Sequence, residues 1–192
     1  MIEAPSISQL EQQLAVCRTQ YQSGSLAEQR ALHCCTLAMA ALSKGNYGVA
    51  AILIDANGAI LSQAANGVFT QGYHPGAHAE ISLLERFQLD YPDYANPQQL
   101  TLLSLLEPCP MCLCRILASG IGRLQYLVAD PQGGMVSHLA HLPPAWKNLA
   151  QLCQITCLKL PQELADLAGF IATAQRAALR RKTLRYIRPS DL

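Results

Sequence analysis

The stretch QLTLLSLL, residues 99–106, is an almost unbroken apolar run in a chain of 192 residues. It has the length of a β-strand and is far too short to cross a bilayer as a helix. A strand that is apolar on both sides must be covered on both faces, as in the sheets of α/β proteins. This run therefore predicts a sheet that lies between two layers of helices.

The segments on either side extend this prediction to a complete fold. GVAAILI (48–54) and AILSQAA (59–65) flank Asp55-Ala56-Asn57-Gly58, which predicts a β-hairpin with glycine where a positive φ is needed. Further strands are predicted at 123–130 and 153–160, and helices at 7–21, 26–43, 78–87, 110–119, 143–152 and 161–188. The whole chain, 1–192, is thus predicted to form one α/β domain, a three-layer α/β/α sandwich with a five-stranded mixed sheet.

The charged residues are distributed unevenly along the chain. Six of the fourteen basic residues lie between Arg176 and Arg188, and residues 1–175 carry eight bases against twelve acids. A basic segment of this kind attracts phosphate groups, although the same pattern is typical of a solvated face on a terminal helix. Both interpretations of the basic tail stay open at this point.

The N-terminal stretch MIEAPSISQLEQQL has no positively charged segment followed by an apolar one, and no apolar run reaches the length of a membrane span. We therefore expect a cytoplasmic protein without membrane contact. Thiols stay reduced in that compartment, so the eight cysteines are expected to be metal ligands or core residues rather than disulfides.

Two short motifs stand at the predicted starts of helices, His78-Ala79-Glu80 and Pro108-Cys109-Pro110-Met111-Cys112. Cys109 and Cys112 are three residues apart, so both sulfurs lie on one face of a helix whose N-terminus favours thiolates. One histidine and two cysteines supply three zinc ligands and leave a fourth position for water, as in catalytic zinc sites. Glu80 is near enough to exchange protons with that water without binding the metal.

Other roles for the cysteines explain less of the sequence. A redox Cys-x-x-Cys pair would leave His78 and Glu80 without a purpose, and a four-cysteine structural zinc site would need a second close pair. The remaining candidates, Cys34, Cys35, Cys153 and Cys157, are predicted to be core thiols. Cys114 follows Cys112 by two positions and is predicted to point away from the metal.

At these two motifs the sequence resembles the cytidine deaminase-like superfamily of zinc-dependent nucleobase deaminases, over roughly residues 26–160. The resemblance implies one Zn²⁺ per chain, held by His78, Cys109 and Cys112, with Glu80 as the catalytic residue. It further implies hydrolytic deamination, in which Glu80 carries protons from water to the substrate, and a homodimeric assembly.

The resemblance also assigns substrate contacts. Asn66 would hydrogen-bond the substrate, although Asn-Gly is equally a turn pattern. Ala77 would present its backbone to the base. His74, together with Phe69 and Tyr73, would rim the pocket, and ordinary loop packing is the alternative.

The identity of the substrate is less well defined. EPCPMCL (107–113) looks like bacterial guanine deaminases, whereas SGIGRLQYLVAD (119–130) and the basic tail look like tRNA adenosine deaminases. The chain departs from the usual family pattern at Leu105 and at Cys114-Arg115, which border the pocket. We favour a free purine-type base or nucleoside, guanine- or adenosine-like, over the wobble adenosine of tRNA. A non-catalytic zinc or RNA-binding module is the alternative from another class.

Overall fold

The computed structural model describes residues 5–188, in which five strands form one sheet. The strands are β1 (Ala50–Ile54), β2 (Ile60–Ala65), β3 (Thr101–Leu106), β4 (Arg123–Val128) and β5 (Gln154–Cys157). Their order across the sheet is β2-β1-β3-β4-β5. β1 is antiparallel to β2 and β3, whereas β3, β4 and β5 run parallel. The predicted five-stranded mixed sheet is confirmed.

Helices cover both faces of this sheet. They are α1 (Ile7–Gln20), α2 (Leu26–Ser43), α3 (Ala79–Asp90), α4 (Pro110–Ala118), α5 (Pro144–Gln151), α6 (Gln162–Thr173) and α7 (Arg176–Ile187). α1, α2 and α6 pack on the face that carries Ile52 and Leu103. α3, α4 and α5 pack on the opposite face, against Leu53 and Leu102. Within residues 5–188, no helix combines the length and the apolar character needed to cross a membrane.

β3 lies in the middle of the sheet, as its apolar sequence predicts. Its residues from Thr101 to Leu105 are all buried, because their side chains alternate between the two helix layers. The hairpin before it is also as predicted. The Asp55 carboxylate accepts hydrogen bonds from the backbone of Asn57 and Ala59 at 2.9 and 2.8 Å, and Gly58 has a φ of 92°.

The prediction of one continuous C-terminal helix over residues 161–188 is wrong. Gln175 adopts a left-handed conformation with a φ of 56°, which ends one helix and starts another. This turn allows Leu179 to pack against Val68 and Phe69, which lie more than a hundred residues earlier in the sequence. Such tertiary contacts, which helical periodicity does not reveal, determine where the helix breaks.

The cysteine predictions hold for three of the four expected core thiols. Cys34, Cys35 and Cys153 are buried, but Cys157 is exposed, so its assignment to the core is wrong. The reason is its position, since β5 is the edge strand of the sheet and Cys157 is its last residue. Cys114 is partly buried and packs in the layer that contains α3 and α4.

Candidate active site

The two sequence motifs meet where α3 and α4 begin. His78 is the N-cap residue of α3, and Cys109 is the N-cap residue of α4, followed by Pro110 in the first helical position. The sulfur of Cys109 lies 3.6 Å from Nδ1 of His78, and the sulfur of Cys112 lies 3.5 Å from the same nitrogen. The three predicted metal ligands therefore converge on one point.

The spacing of these three atoms matches a tetrahedral zinc ion. Zinc binds sulfur at about 2.3 Å and imidazole nitrogen at about 2.0–2.1 Å, which places tetrahedral nitrogen and sulfur ligands about 3.6 Å apart. The observed separations of 3.5 and 3.6 Å agree with that value. All three ligand atoms lie within 4.8 Å of one another. A donor set of one imidazole and two thiolates is also one that zinc prefers.

The ionisation of the three ligand residues favours the binding of a cation. The neighbouring Cys112 thiol, together with the contact to His78, lowers the pKa of Cys109 to about 4. The same contact with Cys109, added to burial, raises the pKa of Cys112. The contact with Cys109 also raises the pKa of His78. One thiolate is therefore ready at neutral pH, and the second thiol still carries the proton that a metal would displace.

Glu80 lies in the first turn of α3 and is only 3% exposed. The hydroxyl of Ser104 donates to its Oε1 at 3.1 Å, and the thiol of Cys112 donates to its Oε2 at 3.4 Å. Burial raises the pKa of this carboxyl group. Glu80 is thus a buried acid with a fixed orientation beside the metal ligands, which is the environment of a group that accepts and releases protons.

Ser104 is a residue of the site that sequence reasoning missed. It belongs to β3 and is fully buried. The sequence contains an indication of this role, because Ser104 is a polar residue in the middle of the apolar run LLSLL. A hydroxyl group buried there needs a hydrogen-bond partner.

A cavity of about 250 Å³ opens onto His78, Glu80 and Cys109. Most of its other walls come from three parts of the fold. They are the chain around the end of β2 (Asn66, Val68, Tyr73, Pro75), the ends of β3 and β4 (Glu107, Asp130, Gly133), and the C-terminal helices (Arg176, Arg180, Thr183). The metal ligands and Glu80 are therefore accessible to a small molecule from one side.

The five loop residues predicted to surround the substrate differ in their positions. Asn66 is buried and lines the cavity, while its Oδ1 accepts a hydrogen bond from the backbone of Val68 at 3.2 Å. Tyr73 lines the cavity as well. His74 is exposed, and its ring contacts the carbonyl oxygen of Gln71 at 2.9 Å, so the structure does not bring it to the cavity.

Ala77 and Phe69 have structural partners of their own. The carbonyl of Ala77 accepts a hydrogen bond from the backbone of Gly67 at 2.9 Å, which ties the loop together just before His78. The ring of Phe69 packs against Tyr73, with the two centroids 5.9 Å apart. The substrate contacts assigned to Asn66, Ala77 and His74 stay predictions.

Glu107 organises the wall of the cavity that follows β4. Its buried carboxylate accepts hydrogen bonds from the backbone of Asp130 and Val136, both at 2.9 Å, and of Ser137 at 3.3 Å. Asp130 in turn forms an ion pair with Arg176 at 3.2 Å. Sequence reasoning did not assign this role. Two sequence features indicate this role. Glu107 stands two residues before a metal ligand, and the Gly133-Gly134 pair is typical of a place where another part of the protein comes close to the backbone.

The fold and the site define a zinc-binding α/β sandwich protein. The protein supplies three ligands to the metal, and a buried carboxylate lies beside them. Residues 26–128 match the family described as the cytidine and deoxycytidylate deaminase zinc-binding region. The chain belongs to this family. The match contains His78, Glu80, Cys109 and Cys112, and it ends where β4 ends.

Two curated relatives each resemble about half of the chain. A tRNA-specific adenosine deaminase from Haemophilus influenzae is 34% identical over 105 residues, which are 55% of this chain and 60% of the relative. A tRNA(Ile)-lysidine synthase from Deinococcus radiodurans is 32% identical over 108 residues, 55% of this chain and 18% of the relative. The matched part of the chain thus spans less than two thirds of either relative.

A solved structure of a guanine deaminase from Nitrosomonas europaea shares the fold. It has a TM-score of 0.58 at 20% sequence identity and covers 76% of this chain and 84% of its own. At this identity the likeness concerns the arrangement of the sheet and its helices.

Proposed function

We propose that this protein is a zinc-dependent hydrolytic deaminase that removes an exocyclic amino group from a purine-type nucleobase or nucleoside and releases ammonia. The observation that carries the proposal is the position of Glu80. It is buried, hydrogen-bonded to Ser104, and adjacent to the three converging metal ligands at a cavity of about 250 Å³. A site that only bound a structural metal would have no use for a buried acid that faces an open cavity.

The proposed reaction replaces a C–N bond by a C–O bond, with water as the second substrate and ammonia as the leaving group. His78, Cys109 and Cys112 would hold a zinc ion, which when bound lowers the pKa of a coordinated water and makes it a nucleophile at neutral pH. Glu80 would accept the proton that water loses, on the carboxylate side near Cys112. It would then deliver protons to the ring nitrogen and to the departing ammonia. Its raised pKa supports this role, because a proton carrier works best when its pKa approaches the operating pH.

The size of the cavity supports a small substrate. The cavity volume is about 250 Å³. Pockets for drug-sized ligands are larger, about 300–1,000 Å³. Asn66 lines this cavity, and we propose that its side chain hydrogen-bonds the base. Ala77 and His74 are proposed contacts on the strength of the family resemblance alone.

A tRNA adenosine is the second candidate substrate. The specific observations that favour it are the relative from Haemophilus influenzae, a tRNA-specific adenosine deaminase, and the six basic residues between Arg176 and Arg188. Binding to tRNA would weaken steeply with added salt, because phosphate contacts release counterions. Deamination of a free base or nucleoside would show little dependence of this kind.

Ammonia release from the zinc-loaded protein tests the proposal. The substrates are guanine, adenine, adenosine, cytosine, cytidine, deoxycytidylate and tRNA. We expect ammonia from at least one of them, and we expect Glu80→Gln to reduce its rate by about 10²–10⁴-fold while zinc stays bound. Glu85→Gln is the matched control, since Glu85 lies on the same helix and is exposed.

Two results of this experiment would contradict the proposal. Undiminished ammonia release by the Glu80→Gln variant would remove Glu80 from the mechanism. Full zinc occupancy with no ammonia from any substrate would favour the alternative, a non-catalytic zinc or RNA-binding module.

We further propose that the chain acts as one domain, forms a homodimer and works in the cytoplasm. The single sheet shared by all five strands supports the first proposal, and the family resemblance supports the second. A reducing compartment suits Cys109 and Cys112, which must remain thiols to bind a metal. Light scattering of the purified protein would measure the assembly, and a monomer would overturn the dimer.

A further inference from the structure

α7 is a fixed part of the cavity wall, although its sequence resembles a solvated basic tail. Leu179 is buried, and the ring of Tyr186 stacks on Tyr73 with centroids 4.7 Å apart and planes inclined by 9°. The hydroxyls of Tyr47 and Thr183 are 3.2 Å apart. Because these contacts hold the helix against the loop that follows β2, the side chains of α7 at the cavity have defined positions.

Two arginines of this helix line the cavity, and their charges are compensated differently. Arg176 is paired with Asp130 at 3.2 Å, and both side chains are largely buried. Arg180 is exposed and donates to the neutral side-chain oxygen of Gln132 at 2.9 Å. Among residues 5–188, no carboxylate lies within ion-pair distance of Arg180. The cavity therefore carries an uncompensated positive charge on this wall.

We propose that Arg180 binds a phosphate group of a nucleotide whose base occupies the cavity. The proposal rests on the proposed function and changes the expected substrate from a free base or nucleoside to a nucleotide that carries a phosphate. A guanidinium presents a planar fork of donors that fits two phosphate oxygens. Thr183 lies three residues further along α7, lines the same cavity, and adds a hydroxyl donor next to Arg180.

The rest of the wall is consistent with an anion. The first turn of α7 contains no acidic residue, and no side chain caps its N-terminus, where the helix dipole favours an anion. Besides Glu80, two acids line the cavity, and both are engaged. Glu107 accepts three backbone hydrogen bonds, and Asp130 is paired with Arg176. The cavity volume of about 250 Å³ suits a base, and the exposure of Arg180 suits a phosphate that stays in contact with solvent.

Ligand binding tests this assignment without turnover. The protein would be zinc-loaded and carry Glu80→Gln, so that no ligand is consumed. Titration calorimetry would compare adenosine, guanosine and cytidine with their 5′-monophosphates, and both with a short single-stranded RNA. A charge-assisted phosphate contact corresponds to about a 10–100-fold gain in affinity. We expect that gain for a phosphate-bearing ligand and its loss on adding Arg180→Gln.

Arg181→Gln is the matched control, because Arg181 is the next residue of α7, is exposed, and does not line the cavity. We expect it to change mononucleotide affinity by less than about twofold, as is usual for an exposed charge away from the ligand. Dependence on Arg180 for a mononucleotide would assign the phosphate to the substrate itself. Dependence for the RNA alone would overturn the proposal, because the phosphate would then belong to a neighbouring nucleotide of a polynucleotide.

The proposal would be overturned if nucleosides and nucleotides bound equally, if none of these ligands bound, or if Arg180→Gln and Arg181→Gln had the same effect. Failure of the proposed function is a separate outcome. In that case the zinc-loaded parent protein would release no ammonia, while an Arg180-dependent preference for phosphate could still be measured.

Discussion

Gly134 is a position beside the cavity wall where the structure predicts a large cost for a single added methyl group. A Cβ atom on Gly134 would lie 2.3 Å from the carboxylate carbon of Glu107 and 2.7 Å from the carbonyl oxygen of Asp130. Overpacking of this kind costs about 1–3 kcal/mol, and loss of a hydrogen bond to a charged group costs about 1.5–3 kcal/mol. We expect Gly134→Ala to lower the free energy of unfolding by about 2.5–6 kcal/mol, the sum of these two costs. For a chain of this size the melting temperature would fall by about 5–24 °C.

Gly169→Ala provides a control with the opposite sign. Gly169 lies inside α6, and nothing comes within 4 Å of the place where its Cβ would be. Replacing a helical glycine by alanine there should stabilise the protein by about 0.5–1 kcal/mol. Thermal unfolding of the two variants and their parent, each zinc-loaded, measures both effects. A Gly134→Ala protein that melts at or above the temperature of its parent would refute the role given to Glu107 in holding the cavity wall.

Two further predictions concern the metal ligands. Cys112→Ser should reduce zinc content from one per chain towards zero, because the Cys112 sulfur lies 3.5 Å from Nδ1 of His78. Cys114→Ser should leave zinc content unchanged, because Cys114 does not belong to the group of converging ligands. Equal zinc loss in both variants would contradict the ligand set. Zinc binding to the metal-free protein at neutral pH should release about one proton from Cys112, whose pKa is raised, and less from Cys109, whose pKa is about 4. Protons compete with zinc for these sulfurs, so zinc retention against a chelator should fall as the pH falls, and retention that is independent of pH would count against this ionisation pattern.

The fold could be predicted from the sequence where local patterns and tertiary packing agree. The run around β3 is apolar because both its faces are buried, and the hairpin has Gly58 where φ is positive. The C-terminal helix could not be predicted in this way. Residues 162–187 have helical composition throughout, and the break at Gln175 results from contacts of Leu179 with residues more than a hundred positions earlier.

The site could be predicted where its residues form short motifs and not where the fold brings distant residues together. His78, Cys109 and Cys112 were assigned from their types and spacing, and the structure places their ligand atoms within 4.8 Å of one another. His74 is predicted to rim the pocket from its place in the loop. Its ring lies 2.9 Å from the carbonyl oxygen of Gln71, and its contact with a substrate stays a prediction. Backbone direction in an irregular loop decides such cases, and residue spacing carries little information about it.

The boundary of the family match separates the proposed chemistry from the proposed selection of the substrate. All four residues proposed for metal binding and proton transfer lie within residues 26–128, whereas Asp130, Arg176, Arg180 and Thr183 of the cavity wall lie beyond it. The reaction requires one arrangement of the metal ligands, and this fixes the spacing of those residues in the sequence. The residues that line the rest of the cavity can differ while the metal ligands stay the same. The charge and shape of α7 therefore indicate more about the substrate of this chain than the motifs that identify its family. Substitution of Arg180 should therefore alter which substrates bind while zinc stays in place. Substitution of Cys112 should remove the zinc, whichever substrate is present.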